Sequence, residues 1–597
     1  MNQLMKIRHS FAISRGFRNY FIYSLLFNII EQLCIVIDMI LVGNFVSANA
    51  FAALNLVVPL ETTVTGLIML VTGGAGVIAS RRVGDHDFEG ASASLSVTAL
   101  SNLVLFLILS VVGIVFVDDI AMFLSPSRIL ANYLKDYLGI YFLSLVPIGL
   151  YNLMILLLDV DGKPDIVLCT VVSASILDIV LDVIFMKYMD LGVRGVALAG
   201  LMSYSVPLFF LIPYALGRRC SFRFVLRRKE QAWRDFTEVV VTGVPYCLPY
   251  FIMCIIVFIV NTLVLNKLGT YALYIWGAGF QILFLIFVAI NCICGNILVI
   301  MGGMLAGSHD MSGFTYLARK CFKTVSLVVG TIILIVLVFP VRSISLFGYN
   351  LPDGSSRAVL WLISIVLVGI PYTICCIKIY VSQALGRKWI STVPLAIFFF
   401  LTVGGICVSS VLDPRWMFPS LLVSGALFIL ADFTACFFLR RYLKGVSSYL
   451  LIPPQDSLRS LSVSVPYNKK GFDSALPRIE SFLKTIVIPS SVAFNVNLCC
   501  EELMLSIVEN NAGKNLGDDW FFDVFILNDT EEVKVTIRDA GAPFNPVRNY
   551  SDTVAGTVAS DEDMGLSLCL VNGLCKELSY NYMYGQNAIY MTFGKEV

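Results

Sequence analysis

Charge is scarce in this 597-residue chain: Asp, Glu, Lys and Arg together make up 14%, and the formal net charge is +1. A nucleic-acid binder needs a basic surplus to neutralise many phosphates, so no nucleic-acid partner is expected. The 16 cysteines show neither disulfide nor zinc spacing. Cys254, Cys292, Cys294, Cys375 and Cys376 lie inside apolar runs and Cys499 and Cys500 are adjacent, so they read as small packing residues. The first hydrophobic segment lacks a small-residue cleavage site and reads as a retained span. No Gly-x-x-x-x-Gly-Lys-Ser/Thr loop is present, which argues against an ATP-driven pump.

What fills the chain is apolar. Hydrophobic residues reach 58% and mean hydropathy is +0.83, whereas soluble domains stay near about 45–50% apolar. A bilayer crossing needs ~20 apolar residues. Twelve segments qualify, at 20–42, 52–79, 94–117, 135–158, 165–187, 195–216, 238–264, 273–301, 321–340, 358–384, 391–411 and 417–439. Basic residues cluster in alternate loops: Arg15 and Arg18, Arg81 and Arg82, Lys163, the run Arg218 to Lys229, Arg319 to Lys323, Arg387 and Lys388, and Arg440 to Lys444. By the positive-inside rule these ends face the cytosol, so a multi-pass protein of the cytoplasmic (inner) membrane with both termini cytosolic is expected.

After Gly445 the pattern changes. Pro453 and Pro454 open a polar stretch, and α/β periodicity follows from about Leu461. The expected fold is therefore an all-α polytopic membrane protein of two six-helix lobes plus a C-terminal cytosolic α/β sandwich. The expected divisions are 1–216 for the first lobe, 217–234 for a basic linker, 235–445 for the second lobe, 446–460 for a linker, and 461–597 for the α/β domain.

An internal repeat supports two related lobes. Gly84-Asp-His-Asp87 after the second span is matched by Gly307-Ser-His-Asp310 after the eighth, 223 residues on, and Gly162-Lys-Pro by Gly386-Arg-Lys. Such duplication is a transporter signature, with substrate handled between the halves. With Asp38-Met-Ile-Leu-Val-Gly43, Ala53-Leu-Asn-Leu-Val-Val-Pro59, Leu181-Asp-Val-Ile-Phe185, Gly192-Val-Arg-Gly-Val-Ala-Leu-Ala199 and Gly243-Val-Pro245, residues 15–440 resemble the multidrug and toxic compound extrusion (MATE) family. The resemblance implies two lobes around a V-shaped cleft and export of an organic solute in exchange for H⁺ or Na⁺.

Carboxylates at membrane depth are costly and mark functional sites. Asp38 lies inside the first span with Glu31 seven residues earlier on about the same face, and Asp178 and Asp182 are four apart in the fifth. The second half carries Asn261 at the place equivalent to Asp38, so the coupling ion is expected in the first lobe. There Asp38 binds H⁺ or Na⁺, and Asp178, Asp182 and Glu31 supply further oxygens. By resemblance, Asp38 and Asp178 match the family's cation site. Glu61 and Asp432 read as satisfied interior groups, and Lys378 as a snorkelling side chain. Tyr246, Tyr250, Phe280 and Phe284 suit a cleft for flat organic cations and equally suit helix packing and lipid contact.

In the C-terminal part, strands are expected at 463–465, 521–527, 533–538, 578–584 and 588–593, and helices at 475–486, 492–510 and 566–574. A strand ending in Asp539-Ala-Gly-Ala-Pro-Phe suits adenine: the carboxylate accepts from the amino group, and glycine lets the backbone approach. Residues 461–594 resemble the ATP-binding domain shared by histidine kinases, gyrase and Hsp90 (GHKL), closest to anti-sigma-factor serine kinases. That resemblance implies a nucleotide site of Glu502, Asp539, Gly541 and Gly565, with Tyr580 and Gly585-Gln-Asn587 in the closing hairpin. Ser506 replaces the Mg²⁺-ligating asparagine and is a weak metal candidate, Asn510 and Asn511 are nearby amides, and Asp563-Met564 replaces a glycine pair. ATP and Mg²⁺ are thus the ligands this domain's family implies, at a weakened site.

The leading expectation is a MATE-type antiporter exporting a small organic cation, regulated by a degenerate ATP-binding-like domain. It is read as a transporter and not an enzyme, with membrane lipids and a cytosolic regulatory protein as partners. The alternatives are a membrane-anchored serine kinase or partner-switching protein, and a flippase of lipid-linked or polysaccharide substrates.

Overall fold

A computed structural model describes residues 11–595 apart from 48–49, 51–52, 55, 126–127, 218–219, 226, 346–355, 443–445, 447–448, 512–519 and 547–569. Gly445, Asp563, Met564 and Gly565 lie outside the described residues.

Among the described residues, twelve long helices form the membrane part. The first half contains α1 (Phe11–Phe45), α2 (Val58–Gly84), α3 (Phe88–Val115), α4 (Arg128–Val160), α5 (Pro164–Tyr188) and α6 (Val193–Leu216). The second half contains α7 (Lys229–Leu268), α8 (Tyr271–Gly307), α9 (Met311–Val338), α10 (Ser356–Ala384), α11 (Lys388–Leu412) and α12 (Pro419–Tyr442). Each overlaps one expected span. Their outer faces carry large apolar side chains in the open, such as Phe209, Phe258, Leu327 and Val411, which only a lipid surround would tolerate in such numbers. Backbone groups are satisfied within the helices, as a bilayer demands. Two helices loosen into π-turns, at Ile184–Tyr188 and Asn291–Leu298, a departure that often marks functional positions.

The repeat is visible in the turns. His86 and His309 both adopt positive φ (68° and 58°), and Asp87 and Asp310 cap the following helices by accepting from Gly90 N at 2.7 Å and Gly313 N at 2.9 Å. At this end the halves touch: a Cβ on Gly84 would strike the Met304 carbonyl, and one on Gly307 the Arg81 carbonyl. The membrane part is closed here.

The C-terminal domain comprises β1 (Ser460–Pro466), α13 (Lys469–Thr485), α14 (Ser490–Asn510), β2 (Phe521–Asn528), β3 (Glu532–Asp539), β4 (Glu577–Met583) and β5 (Gln586–Gly594). Its antiparallel sheet has the order β1-β2-β3-β5-β4. Helix α14 is apolar enough to cross a membrane. It packs instead on the sheet, with Val496, Cys500, Leu503 and Ile507 against Val524, Val535, Ile537 and Ile589. One sheet face is thereby used. Residues of the opposite face, among them Asp523, Phe525, Thr536, Tyr590 and Thr592, are also buried, because that face lies on the closed end of the membrane part.

Candidate cation site and the docked domain

Helix α1 brings Asp38 to α5, where Asp178 and Asp182 share a face. Ligand atoms of Cys34, Asp38 and Asp178 lie within 4.8 Å of one another. The Cys34 thiol, one turn before Asp38, donates to Asp178 Oδ2 at 3.5 Å. Asp182 faces both Asp38 and Asp178 and is 1% exposed. Neither of its oxygens, nor Asp38 Oδ1, meets an N–H, hydroxyl or thiol donor among the described residues, and the Asp38 and Asp182 carboxyls lie within hydrogen-bond reach of each other. Three carboxyl groups in an apolar bundle, two of them with oxygens that meet no outside donor, form an acidic pocket suited to a proton or a small cation. Glu31 is exposed and is not part of the cluster. Sequence reasoning missed Cys34, although its spacing of four from Asp38 puts it on the same helical face.

The second half is arranged differently. Asn261 accepts from Trp276 Nε1 at 2.9 Å, which makes it a structural amide. Glu61, in the first half, accepts from the Tyr137 hydroxyl at 3.0 Å. Lys378 does not snorkel: it is 6% exposed and its ammonium sits 2.6 Å from both Asp432 oxygens and lies over the Tyr449 ring. The Tyr449 hydroxyl also bonds Asp432, so the segment after α12 is tied to a buried ion pair. Of the cleft aromatics, Tyr246 packs near Tyr380, Tyr250 against Phe287, and Phe280 against Trp276, all within the helix bundle.

The C-terminal domain grips both halves with one strand. Lys534, Thr536 and Arg538 alternate along β3 and share a face. The Lys534 ammonium bonds Asp85 at 2.7 Å, and Thr536 meets His86 Nε2 at 2.9 Å. Arg538 reaches the other half, donating to Asp310 at 2.8 Å and Ser308 at 3.3 Å. His86 also approaches Thr592 Oγ1 at 3.4 Å and meets Tyr590 edge-on. Burial, with Lys534 and Arg538 beside it, pushes the His86 imidazole down to about 3. Burial pushes the Asp523 carboxyl, across the ladder from Arg538, up to about 7.

The β4–β5 hairpin makes a second contact. Tyr584 and Gly585 turn it with φ of 53° and 74°, the paired positive φ of a two-residue hairpin. Tyr584 N donates to Gly162 O at 2.9 Å, its hydroxyl to Asp159 O at 2.8 Å, and Lys163 to Tyr582 O at 2.6 Å. Gly162 has φ +69°, and a Cβ there would collide with Met583, so the turn needs glycine twice over. Gln455 holds His309 O and Ser312 N, and Arg387 holds Leu451 O, which fixes the linker to the second half.

The adenine-type cradle is closed by its own side chains. Asp539 is fully buried. Its Oδ1 accepts from the Tyr467 hydroxyl and from Gly541 N at 2.8 Å, and its Oδ2 from Asn587 Nδ2 at 2.7 Å. Burial and that carboxylate hold the Tyr467 phenol well above its ordinary value, so it remains a donor. Asn511 fills the space beside Gly541 and accepts from Ala542 N at 2.9 Å. Ser506 is buried and its hydroxyl donates to Glu502 O within the helix. Glu502 is half-buried and Asn510 ends the same helix. Asp539 and Gly541 do not fit adenine in this arrangement, because Tyr467 and Asn511 occupy them. Tyr467 continues outward to Trp520, which takes Arg15 of α1 on its face at 3.9 Å.

Two six-helix halves with an acidic cluster in one of them, capped by an α/β domain, define a multi-pass membrane protein with a docked module. Residues 24–184 match the MatE family model, and residues 471–593 match the model described as a histidine kinase-like ATPase domain. The multidrug export protein MepA of Staphylococcus haemolyticus is 28% identical over 247 residues, 41% of this chain and 54% of that protein. MepA of Staphylococcus saprophyticus is 22% identical over 271 residues, 45% and 60%. The chain thus spans about half the length of the curated relatives it matches. An outward-facing multidrug resistance MATE family transporter of the MOP superfamily superposes with a TM-score of 0.63 at 19% identity, covering 72% of this chain and 96% of that one. A MOP superfamily transporter from Pyrococcus furiosus gives 0.62 at 18%, covering 70% and 94%. One chain thus carries a MatE-type segment at 24–184, within a helical part that shares the fold of MATE transporters, and a histidine kinase-like ATPase domain at 471–593.

Proposed function

We propose that this protein is a secondary antiporter that exports a small organic, cationic solute across the cell membrane in exchange for H⁺ or Na⁺. Its domain-bearing end and both termini face the cytosol. The observation that carries the reading is the Cys34–Asp38–Asp178–Asp182 cluster, with buried oxygens that meet no outside donor, which among the described residues has no counterpart in the second half. An ion taken up there neutralises repelling carboxylates and draws α1 towards α5, and its release reverses this. Since α1 is one helix from Phe11 to Phe45, such a change reaches the domain-bearing end without a break. Opening that end requires the halves to part. The C-terminal domain bonds both, through Lys534 and His86 on one side and Arg538 on the other. Docking therefore holds the closed end shut, and the domain acts as a regulator. The closed adenine cradle favours this role over the serine-kinase reading.

The test is uptake of a fluorescent organic cation into liposomes under an imposed H⁺ or Na⁺ gradient. Asp38→Asn should abolish gradient-driven transport while leaving the protein folded. Undiminished transport would remove Asp38 from the mechanism.

A further inference from the structure

Helix α1 ends, towards the docked domain, beside α9. Exposed Ile22, Leu26, Ile29 and Leu33 mark its outer stripe at helical spacing. Stepping back from Ile22 by four and by seven residues places Arg18 and Arg15 on that same face. Helix α9 repeats the pattern: Leu327 and Leu334 are exposed, and Lys320 lies seven residues before Leu327. Both outward stripes thus finish in cations at the same end. Between them lies a cavity of about 330 Å³, with Phe17 and Phe21 stacked along one wall.

Among the described residues no carboxylate forms an ion pair with these cations; Asp539 acts on Arg15 only through space. Lys320 donates to the Ser14 hydroxyl at 2.9 Å and lies 4.9 Å from the centre of the Phe17 ring, and Arg15 stacks on Trp520. Residues 1–10 add Lys6 and Arg8 to the sequence ahead of this end. Three cations around a cavity that three phenylalanines, Phe11, Phe17 and Phe21, also line call for an anion with an apolar tail. Arginine forks and a lysine suit a phosphate, and at the end of lipid-facing stripes the phosphate available is a headgroup.

We propose that Arg15, Arg18 and Lys320 form a binding site for the headgroup phosphate of an anionic phospholipid, its acyl chain lying along Phe17 and Phe21. The site rests on the reading of the helices as membrane spans and is independent of the transport mechanism. It adjoins the docked domain, because Arg15 carries Trp520. Bound lipid therefore completes the contact between α1 and that domain.

The test is native mass spectrometry of the full chain, released from micelles doped with phosphatidylglycerol or phosphatidylcholine. The wild-type protein should retain phosphatidylglycerol in preference. Replacing all three cations (Arg15→Gln, Arg18→Gln, Lys320→Gln) should lower that retention roughly a hundredfold, while Lys135→Gln, in an exposed pair with Asp118 elsewhere, should not. Inorganic phosphate at millimolar concentration should fail to displace the lipid. Equal retention of the two lipids by the wild-type chain would overturn the site without recourse to a variant. Displacement by phosphate alone would overturn the lipid assignment.

Discussion

Acidification should act on the docked domain through two groups of opposite sign. His86 lies at about 3 when docked, and an imidazole in water near ~6.5. A depressed imidazole contributes stability that is full above the undocked value and is lost as pH falls from there towards 3. Between pH 7.5 and 5.5 this weakens docking by about 1.4 kcal/mol, or tenfold. Asp523 lies at about 7 when docked, against ~3.9 for a carboxyl in water. A raised carboxyl opposes docking above 7 and ceases to do so as pH falls, strengthening docking over the same window by about 1.9 kcal/mol, or twentyfold. The two act in opposite directions, so wild-type docking should depend on pH less than either variant does. The charged groups around them, Lys534, Arg538, Asp85 and Asp310, are common to both variants compared. Asp523→Asn should expose the His86 effect, with docking falling about tenfold. His86→Gln should expose the opposite slope. The assay is hydrogen exchange in nanodiscs of the Tyr584 amide, which bonds Gly162 O across the contact, corrected for the intrinsic pH dependence of exchange. Slopes of the same sign in the two variants would refute the assignment.

Two other predictions follow from groups already paired. Lys378→Met leaves Asp432 buried without its cation and should cost about 3–5 kcal/mol, read as lost thermal stability. Lys378→Met with Asp432→Leu should recover most of it, and a double variant no better than the single would show that the pair is not the cause. The full chain should bind a fluorescent ATP analogue weakly, with Mg²⁺ adding little. Tyr467→Phe, which removes one donor from Asp539, should tighten binding by about 1 kcal/mol, roughly fivefold, and unchanged affinity would exclude Tyr467 as the block.

The helices and strands were legible because each obeys a local rule. Apolar runs of bilayer length gave α1 to α12, and alternation gave β1 to β5. Asp38 and Asp178 could be paired only by resemblance, since 140 residues separate them. The partner of Lys378 lies on another helix 54 residues on, so its long stem invited a snorkelling interpretation. Lys534, Thr536 and Arg538 belong to a strand that alternation alone locates, and no linear spacing connects them with Asp85, His86 and Asp310. Tyr467 belongs to none of the nucleotide-binding boxes. It reaches Asp539 because β1 sits two strands from β3 and the chain after Pro466 turns across the sheet edge. The turns were recognised as a repeat, but their second use, as the seat of the C-terminal domain, emerges only in three dimensions.

The most direct measurement is the transport rate of the full chain against Arg538→Glu in liposomes under the same ion gradient. The substitution sets a carboxylate against Asp310 and should undock the domain, which hydrogen exchange of the Tyr584 amide, bonded to Gly162 O when docked, can verify. Faster transport after release is expected, because the closed end can then open. An unchanged or slower rate with the domain demonstrably undocked would contradict the domain's role as a clamp.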